Sequence, residues 1–373
     1  MFIFLLLILL ITNYSYSQGF LSINEDILLV RQNINNIDIS NTDYNLALQG
    51  LLNSCEKFLS LNDDYIIFEQ FGNITISDIK NTCNVAKNVK NKDINYIKFF
   101  FKNYFIPYLI VDYKNNKSEG IFTGYYLPKI KVKKTQDFIF RYPLYKRPND
   151  LIDGQLYYTR EEINKGVLKD KNLELFYTDD IVDLYFLQVQ GSGFVIDVDT
   201  HELIKVGFDG KNNHNYTSIG KILYDKNLLN SDELNSISIK NFLKNNIDIA
   251  LSLMDLNKSY IFFKVLEDNK IIGSQGVELI NNTSLAIDKR FLPLGFPIVV
   301  NTDLTLQDKT RIPFNKIMIT HDTGSAIKGV IRGDIFFGDE YDAEEVASYQ
   351  YSNGKYYILL PLDVEEKLLS MSY

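Results

Sequence analysis

KIMITHDTGSAIKGVIRGDIFFG, residues 316–338, carries two short apolar runs, each with an aspartate and a glycine at its edge. Asp322 follows IMIT and precedes Thr323-Gly324, and Asp334 lies within IRGDIFF. A third aspartate, Asp288, has the same setting in SLAIDKRFLPLG, residues 284–295. Short β-type runs broken by glycine put such carboxylates at strand ends or turns, facing a cleft. Carboxylates gathered in a cleft resist ionising together, so one of them can stay protonated toward neutral pH. A protonated carboxylic acid can pass a proton to a leaving oxygen. The stretch therefore predicts acid catalysis, with glycosidic cleavage as its leading form.

The same texture extends outward from about Lys117. The runs QDFIFRYPLY, DLYFLQVQ, GFVIDV, SYIFFKVL, FPIVV and YYILLP are short, rich in Ile, Val, Phe and Tyr, and separated by Gly, Asn and Asp. Spacing of this kind predicts a barrel or sandwich and not alternating βαβ units. YDAEEVASYQ reads as a short helix among the last strands, with Asp342 at its start. Upstream, residues 18–40 are polar, Asn-rich and poorly patterned. Leu48, Leu51, Leu52, Cys55, Phe58 and Leu59 recur at helical spacing. Further helices are expected at about Ile79–Val89 and Ile94–Phe105, the latter capped by Asp93 and ended by Pro107. No Pro- or Ser-rich linker marks a boundary, so a second domain is expected to be inserted within the first.

A length of 373 residues allows two domains or one large one, and 46% apolar residues provide a sizeable core. A net charge of -8 argues against a nucleic-acid partner. There is no Trp, but there are 25 Tyr and 25 Phe, so any ring that stacks on a sugar must be one of these. Most of them are expected in the core. The apolar run Phe2–Ile11 is too short to span a bilayer. With the small residues Ser15 and Ser17 it reads as a signal peptide over residues 1–17, although the segment before the run lacks Lys and Arg. An uncleaved anchor is the alternative. No cysteine follows the run, so lipoprotein processing has no acceptor. Export would let the two cysteines, Cys55 and Cys83, form a disulfide between two N-terminal helices.

Other chemistries fit less well. Asp322-Thr323-Gly324 has the D-T-G form of aspartic proteases, but that chemistry needs two such loops, and no second D-T-G or D-S-G occurs. Ser192 lies in QGSG, with Gln190 where a nucleophile elbow needs Gly. His201, His214 and His321 are scattered, without metal spacing, and read as surface or structural residues. No metal and no cofactor is expected. TSIGK near Lys221 lacks the rest of a phosphate loop. Two polar-aromatic clusters remain, Phe122–Tyr126 and Leu187–Gly193. Read as a strand, the second would aim Gln188 and Gln190 to one face, a row of amides for sugar hydroxyls, with Tyr125 or Tyr126 as a stacking ring. An ordinary solvated strand face is the equal alternative.

Taken together and in order, FTGYYLPK, FRYPLY, FLQVQGSGFV, VGFDGKNNHNYTSIGKIL, SYIFFK, GSQGVEL, SLAIDKRFLPLG, HDTGSAIKGVIRGDIFFG and YYILLP resemble the membrane-bound lytic murein transglycosylase A family over roughly residues 45 to 362. Cys55 and Cys83 resemble that family's paired N-terminal cysteines. The resemblance implies a mainly β protein. A six-stranded double-psi β-barrel of the three-aspartate type, with N-terminal helices, would comprise residues 18–123 plus 255–373. A smaller inserted β-domain would occupy 124–254, with the substrate groove between the two. It implies non-hydrolytic cleavage of the β-1,4 bond from N-acetylmuramic acid to N-acetylglucosamine, leaving 1,6-anhydro ends. It puts the catalytic acid on Asp334, with Asp322 and, more weakly, Asp288 in support. Thr123, Tyr125, Gln188, Gln190 and Ser192 fall in motifs that line the groove. The expected partner is the peptidoglycan glycan strand, with the enzyme a monomer that can join a wall-synthesis or hydrolysis complex. The expected place is the periplasm of a Gram-negative-type cell, in association with the outer membrane. Two departures stand out: Leu127 occupies the place of an acidic residue after FTGYY, and the lipoprotein cysteine is missing.

One carboxylate can suffice for such a reaction, because the sugar's own 6-hydroxyl replaces water as nucleophile. The requirement is that Asp334 stay protonated. Lys328 and Arg332 are close in sequence and oppose this, so burial or Asp322 has to outweigh them. A glycan-binding module without turnover and a hydrolytic glycosidase are the alternatives.

Overall fold

The computed structural model describes residues 19–267, 270–339 and 342–371, so the signal segment read at 1–17 lies outside the described residues. Two compact units are present. One comprises the described residues up to Gly124 with Ile271–Phe336 and Gln350–Tyr373; the other comprises Tyr125–Lys270 and Phe337–Tyr349.

The first unit is built on a closed ring of six strands. These are β1 (Gly120–Tyr125), β2 (Ser284–Ala286), β3 (Pro297–Thr305), β4 (Arg311–Asp322), β5 (Arg332–Phe336) and β6 (Tyr351–Pro361). Their order is β6–β3–β4–β2–β5–β1, and β1 returns to β6. Closure removes the unpaired edges of an open sheet. β3 and β4 form a long antiparallel pair from Pro297↔Ile319 to Thr305↔Arg311. β2 runs parallel to β4 and antiparallel to β5. The period of two is plain in β6, where Ser352, Gly354, Tyr356 and Ile358 are buried while Tyr351 and Asn353 are exposed. Beyond the ring, β6 also pairs with Phe105–Asp112, and the sheet continues through Ile27–Arg31 to Phe20–Ser22. The polar stretch 18–40 thus contains two strands that its composition does not announce.

Among the described residues four α-helices pack on this unit: α1 (Tyr44–Leu59), α2 (Ile76–Val89), α3 (Ile94–Asn103) and the C-terminal helix Leu362–Met371. Asp43 and Asp93 cap α1 and α3 by accepting from backbone N–H groups of the first turn. A ten-residue helix such as α3 is marginal alone, and burial of Ile97, Phe100 and Phe101 holds it, at about 1.5–3 kcal/mol per side chain. Cys55 and Cys83 are joined, so the expected disulfide links α1 to α2. One detail is corrected. α3 stops at Asn103 with Tyr104 as its cap, and Pro107 lies within the next strand, opposite Leu359. The chain enters the sheet before the proline is reached, so pairing and not Pro107 ends the helix. α1 can approach β4 closely because position 50 is glycine: a Cβ there would stand 2.9 Å from Ile319 Cγ1 and 3.2 Å from His321 Cε1.

The second unit has its own six-stranded sheet, in the order Ile261–Val265, Leu203–Lys211, Gly193–Asp197, Lys129–Lys133, Glu174–Thr178, Tyr142–Tyr145. Its core joins Ile130, Val132, Val195, Val206 and Phe263 of the sheet to helices that include Ile181–Gln190, Ile219–Asp225, Ser236–Asn245 and Ile247–Asp255. The strand expected at DLYFLQVQ is overturned, because it forms the helix Ile181–Gln190. Asp180 caps that helix by accepting from Val182 N and Asp183 N, and Gly191, at φ 79°, ends it. Ile181, Val182, Leu184, Tyr185, Phe186, Leu187 and Gln188 are all buried. A helix buried on most sides has no polar stripe, and its composition then resembles that of a buried strand. The short helix read at YDAEEVASYQ is present as Ala343–Tyr349.

Candidate active site

The three-residue strand β2 brings the two barrel aspartates together. Ala286 pairs with Asp322 of β4 on one side and with Asp334 of β5 on the other. Adjacent strands lie about 4.8 Å apart, so the two aspartate backbones are about 10 Å apart, with one methyl group between them.

Asp334 is partly open at its surface yet deeply embedded among protein atoms. Thr123 Oγ1 donates to its Oδ1 at 2.5 Å. Arg332 Nη2 donates to Thr123 Oγ1 at 2.8 Å, and its Nη1 donates to the carbonyls of Ile121 and Gly333. The guanidinium is thus bonded to Thr123, which relays to the acid. Burial pushes the Asp334 carboxyl up to about 6. The Arg332 charge and the Thr123 bond pull it down, and Asp322 adds a further upward push. Burial wins, which answers the requirement raised by Lys328 and Arg332. Gly333 permits this packing, since a Cβ there would stand 2.2 Å from the buried Tyr356 hydroxyl.

Asp322 is half-buried, and its Oδ1 accepts from Ser274 N at 2.8 Å, Ser274 Oγ at 2.7 Å and Thr323 N at 2.9 Å. Asp288 is buried and differently engaged. Arg290 Nε donates to its Oδ1 at 2.9 Å, Arg290 Nη2 to its Oδ2 at 2.5 Å, and Gly329 N to its Oδ2 at 3.0 Å. Burial pushes this carboxyl up, but the Arg290 and Gly329 bonds hold it below the usual range. Asp288 therefore stays ionised and ties two turns together, whereas Asp334 has the raised value a general acid needs. His321 is buried, with Nδ1 2.7 Å from Ser284 Oγ and Nε2 3.1 Å from Gly50 O. Burial lowers it to about 4, so it is a neutral structural residue.

Of the residues expected to bind the glycan, Thr123 meets Asp334 directly, and half-buried Tyr125 closes the same strand, its carbonyl accepting from Phe337 N at 2.9 Å. The amide row is corrected. Gln188 and Gln190 are on a helix, where residues two apart are turned about 200° from each other. Gln188 is buried, accepts from Arg160 Nη1 and belongs to the core of its unit. Arg160, itself buried, also donates to the carbonyls of Asn257 and Ser259 and stacks on Tyr185 and Tyr260. Gln190 and Ser192 remain half-buried on either side of Gly191. Arg332, Ser274 and Ser284 were not singled out from the sequence as site residues. GSQG around Ser274 was the one usable signal, since two glycines round a serine mark a turn. Among the described residues no cluster of His, Cys, Asp or Glu is arranged to hold a metal ion, and no helix is long and apolar enough to cross a membrane.

Comparison with known proteins follows this division. Residues 121–264 match the MltA specific insert domain and residues 283–360 the 3D domain. A membrane-bound lytic murein transglycosylase A of Vibrio cholerae is 35% identical over 211 residues, 56% of this chain and 56% of the relative. One of Escherichia coli is 31% identical over 244 residues, 64% of this chain and 65% of the relative. The chain thus spans less than two thirds of the length of these curated relatives. A crystal structure of membrane-bound lytic murein transglycosylase from Agrobacterium tumefaciens superimposes with a TM-score of 0.80 at 25% identity, covering 91% of this chain and 99% of that one. E. coli MltA with bound chitohexaose superimposes with a TM-score of 0.69 at 25% identity, over 86% of this chain and 89% of that one.

Proposed function

The chain belongs to the membrane-bound lytic murein transglycosylase A family, and from that premise we propose that it is a peptidoglycan lytic transglycosylase with Asp334 as its single acid–base group. The observation that carries this reading is a carboxyl raised to about 6 by burial, partly open, with a hydroxyl donor on Oδ1. Asp334 gives its proton to the oxygen between N-acetylmuramic acid and N-acetylglucosamine as the C1–O bond breaks toward an oxocarbenium-like state. The electron pair leaves with that oxygen. The Asp334 carboxylate then takes the proton of the muramic acid 6-hydroxyl, whose oxygen closes on C1. The proton count returns to its start, a 1,6-anhydro ring forms and no water is consumed.

Thr123 serves the second half of this cycle. Its bond favours the carboxylate, so Asp334 becomes the base that ring closure needs. Acid–base catalysis by one group contributes about 10²–10⁴-fold, and positioning and electrostatics supply the rest. Asp322 acts in support through its charge. Asp288 is the weaker supporter and acts by holding its turns.

In this reading the inserted stretch expected over 124–254 adds saccharide contacts through Tyr125, Gln190 and Ser192. Bound chitohexaose in the E. coli relative supports a glycan strand as ligand here. The same reading makes the protein an exported monomer of the periplasm, held near the outer membrane and able to join a wall-remodelling complex. Mass spectrometry of products from purified sacculi tests the proposal. Anhydro-muropeptides are expected. Reducing ends would make the chain a hydrolase, and binding without new ends would make it a binder.

A further inference from the structure

The turn Gly273-Ser274-Gln275-Gly276 is fastened to the end of β4 by its backbone. Gln275 N donates to His321 O at 3.0 Å, Gly273 N to Val277 O at 2.9 Å, and Gly276 N to Gly273 O at 2.8 Å. A Cβ at Gly273 would stand 2.6 Å from His321 O, so only glycine lets the turn lie this close. Gln275 is held in turn by Ser54, whose Oγ donates to its Oε1 at 3.0 Å. Ser274 is therefore fixed relative to the residue that precedes Asp322.

From that position Ser274 delivers two donors to one carboxylate oxygen, its amide at 2.8 Å and its hydroxyl at 2.7 Å. Thr323 Oγ1 donates to Ser274 Oγ at 2.8 Å. Each hydroxyl has one proton, so the two run in series, Thr323 to Ser274 to Asp322. Hydrogen bonds to an ionised acceptor are stronger than neutral ones, and convergence on a single oxygen sets the rotation of the carboxylate. Across the rung, beyond Ala286, lies Asp334.

We propose that Ser274 is a positioning residue that holds the Asp322 carboxylate facing Asp334 and so keeps the acid ready to donate. The inference rests on the reading of Asp334 as the catalytic acid. Asp322 pushes the Asp334 carboxyl up, so a carboxylate free to swing away would push less.

The test compares wild type, Ser274→Ala, Ser274→Thr and Asp334→Asn on purified sacculi across pH, following anhydro-muropeptide release. Ser274→Ala is expected to lower kcat about five- to tenfold with KM kept, the loss of one bond to a charged group. Its alkaline limb should move to lower pH. Ser274→Thr keeps the hydroxyl and should restore both rate and limb. A wild-type rate and limb in Ser274→Ala overturn the proposal. So does a rate loss without a shifted limb, or a threonine variant as impaired as the alanine one. Activity retained in Asp334→Asn overturns the reading of the site itself, whereas a dead Asp334→Asn beside an unaffected Ser274→Ala removes only the role of Ser274.

Discussion

Thr123 Oγ1 donates to Asp334 Oδ1 at 2.5 Å, and that contact makes the carboxyl usable in both of its protonation states. Burial favours the acid and the hydroxyl favours the carboxylate, so Asp334 sits near 6 and neither form is out of reach at neutral pH. The first expectation is direct. Asp334→Asn is nearly isosteric, keeps a carbonyl oxygen for Thr123, and cannot give or take the proton. Anhydro-muropeptide release should fall by about 10²-fold or more with the melting temperature held or raised. Release near the wild-type rate would remove Asp334 from the mechanism.

Thr123→Val removes the donor and keeps the shape. The bond lowers the Asp334 carboxyl, so its loss should raise it further and carry the alkaline limb of the pH–rate profile above about 6. Arg332 would also lose the acceptor for its Nη2. The maximal rate should drop about tenfold as the carboxylate loses its partner for ring closure. A limb that stays in place, or moves to lower pH, would contradict this account.

Asp334 also links folding to pH, with a definite sign. Its folded value, about 6, lies above the ordinary 3.8 of the unfolded chain. The native state thus holds the proton more tightly. The stability it gains from this is complete below about 3.8 and is lost as pH rises to about 6. The difference is about 3 kcal/mol at most. Chemical denaturation at pH 5 and pH 7.5 should show this decline in wild type and its loss in Asp334→Asn. Equal slopes for both proteins would mean that the carboxyl is not held up by burial.

The β texture was readable in short runs rich in β-branched and aromatic residues beside glycine, such as IMIT before Asp322 and IRGDIFF around Asp334, but these fit a barrel or a sandwich, and the closed ring depends on pairings between segments far apart in sequence. Three candidate carboxylates were readable for the same reason, and the choice of Asp334 among them came from the resemblance. The environment of Asp334 was not readable, because Thr123 lies 211 residues away in sequence and meets Asp334 only when β1 and β5 become neighbours. Arg332 looked like a charge that would spoil the acid, and folding gave it Thr123 and two carbonyls to bond. Gln188 and Gln190 misled because alternation over eight residues cannot separate a strand from a helix buried on most sides. The strands at Phe20–Ser22 and Ile27–Arg31 escaped notice because short outer strands in polar surroundings carry little pattern.

His321 should produce the opposite pH slope. Burial holds its folded value at about 4, below the ordinary 6.5, so the native state binds the proton less well than the unfolded chain. The stability tied to this neutral form is present above about 6.5 and is lost as pH falls toward 4, by about 3 kcal/mol in all. His321→Gln should flatten the acid side of a melting-temperature profile between pH 7 and pH 4. It should also lower stability at pH 7, because Ser284 Oγ and Gly50 O lose a well-placed partner. An unchanged acid side would assign that loss to other groups.

The Cys55–Cys83 bridge closes a loop with a sequence separation of 28 and ties α1 to α2. Its effect should be felt at β4, since Gly50 and Ser54 of α1 both contact His321, the residue before Asp322. A closed loop of this size typically stabilises the fold by about 2–4 kcal/mol, chiefly by restricting the unfolded chain. Cys55→Ser with Cys83→Ser should therefore lower the denaturation free energy by that amount in non-reducing buffer. Added reductant should bring wild type to the same value and leave the double variant where it was. Because α1 still packs through Leu48, Leu51 and Phe58, kcat at low temperature should stay within about twofold of wild type. A large loss of rate with little loss of stability would mean that the bridge acts on the site through α1 and not on the unfolded chain.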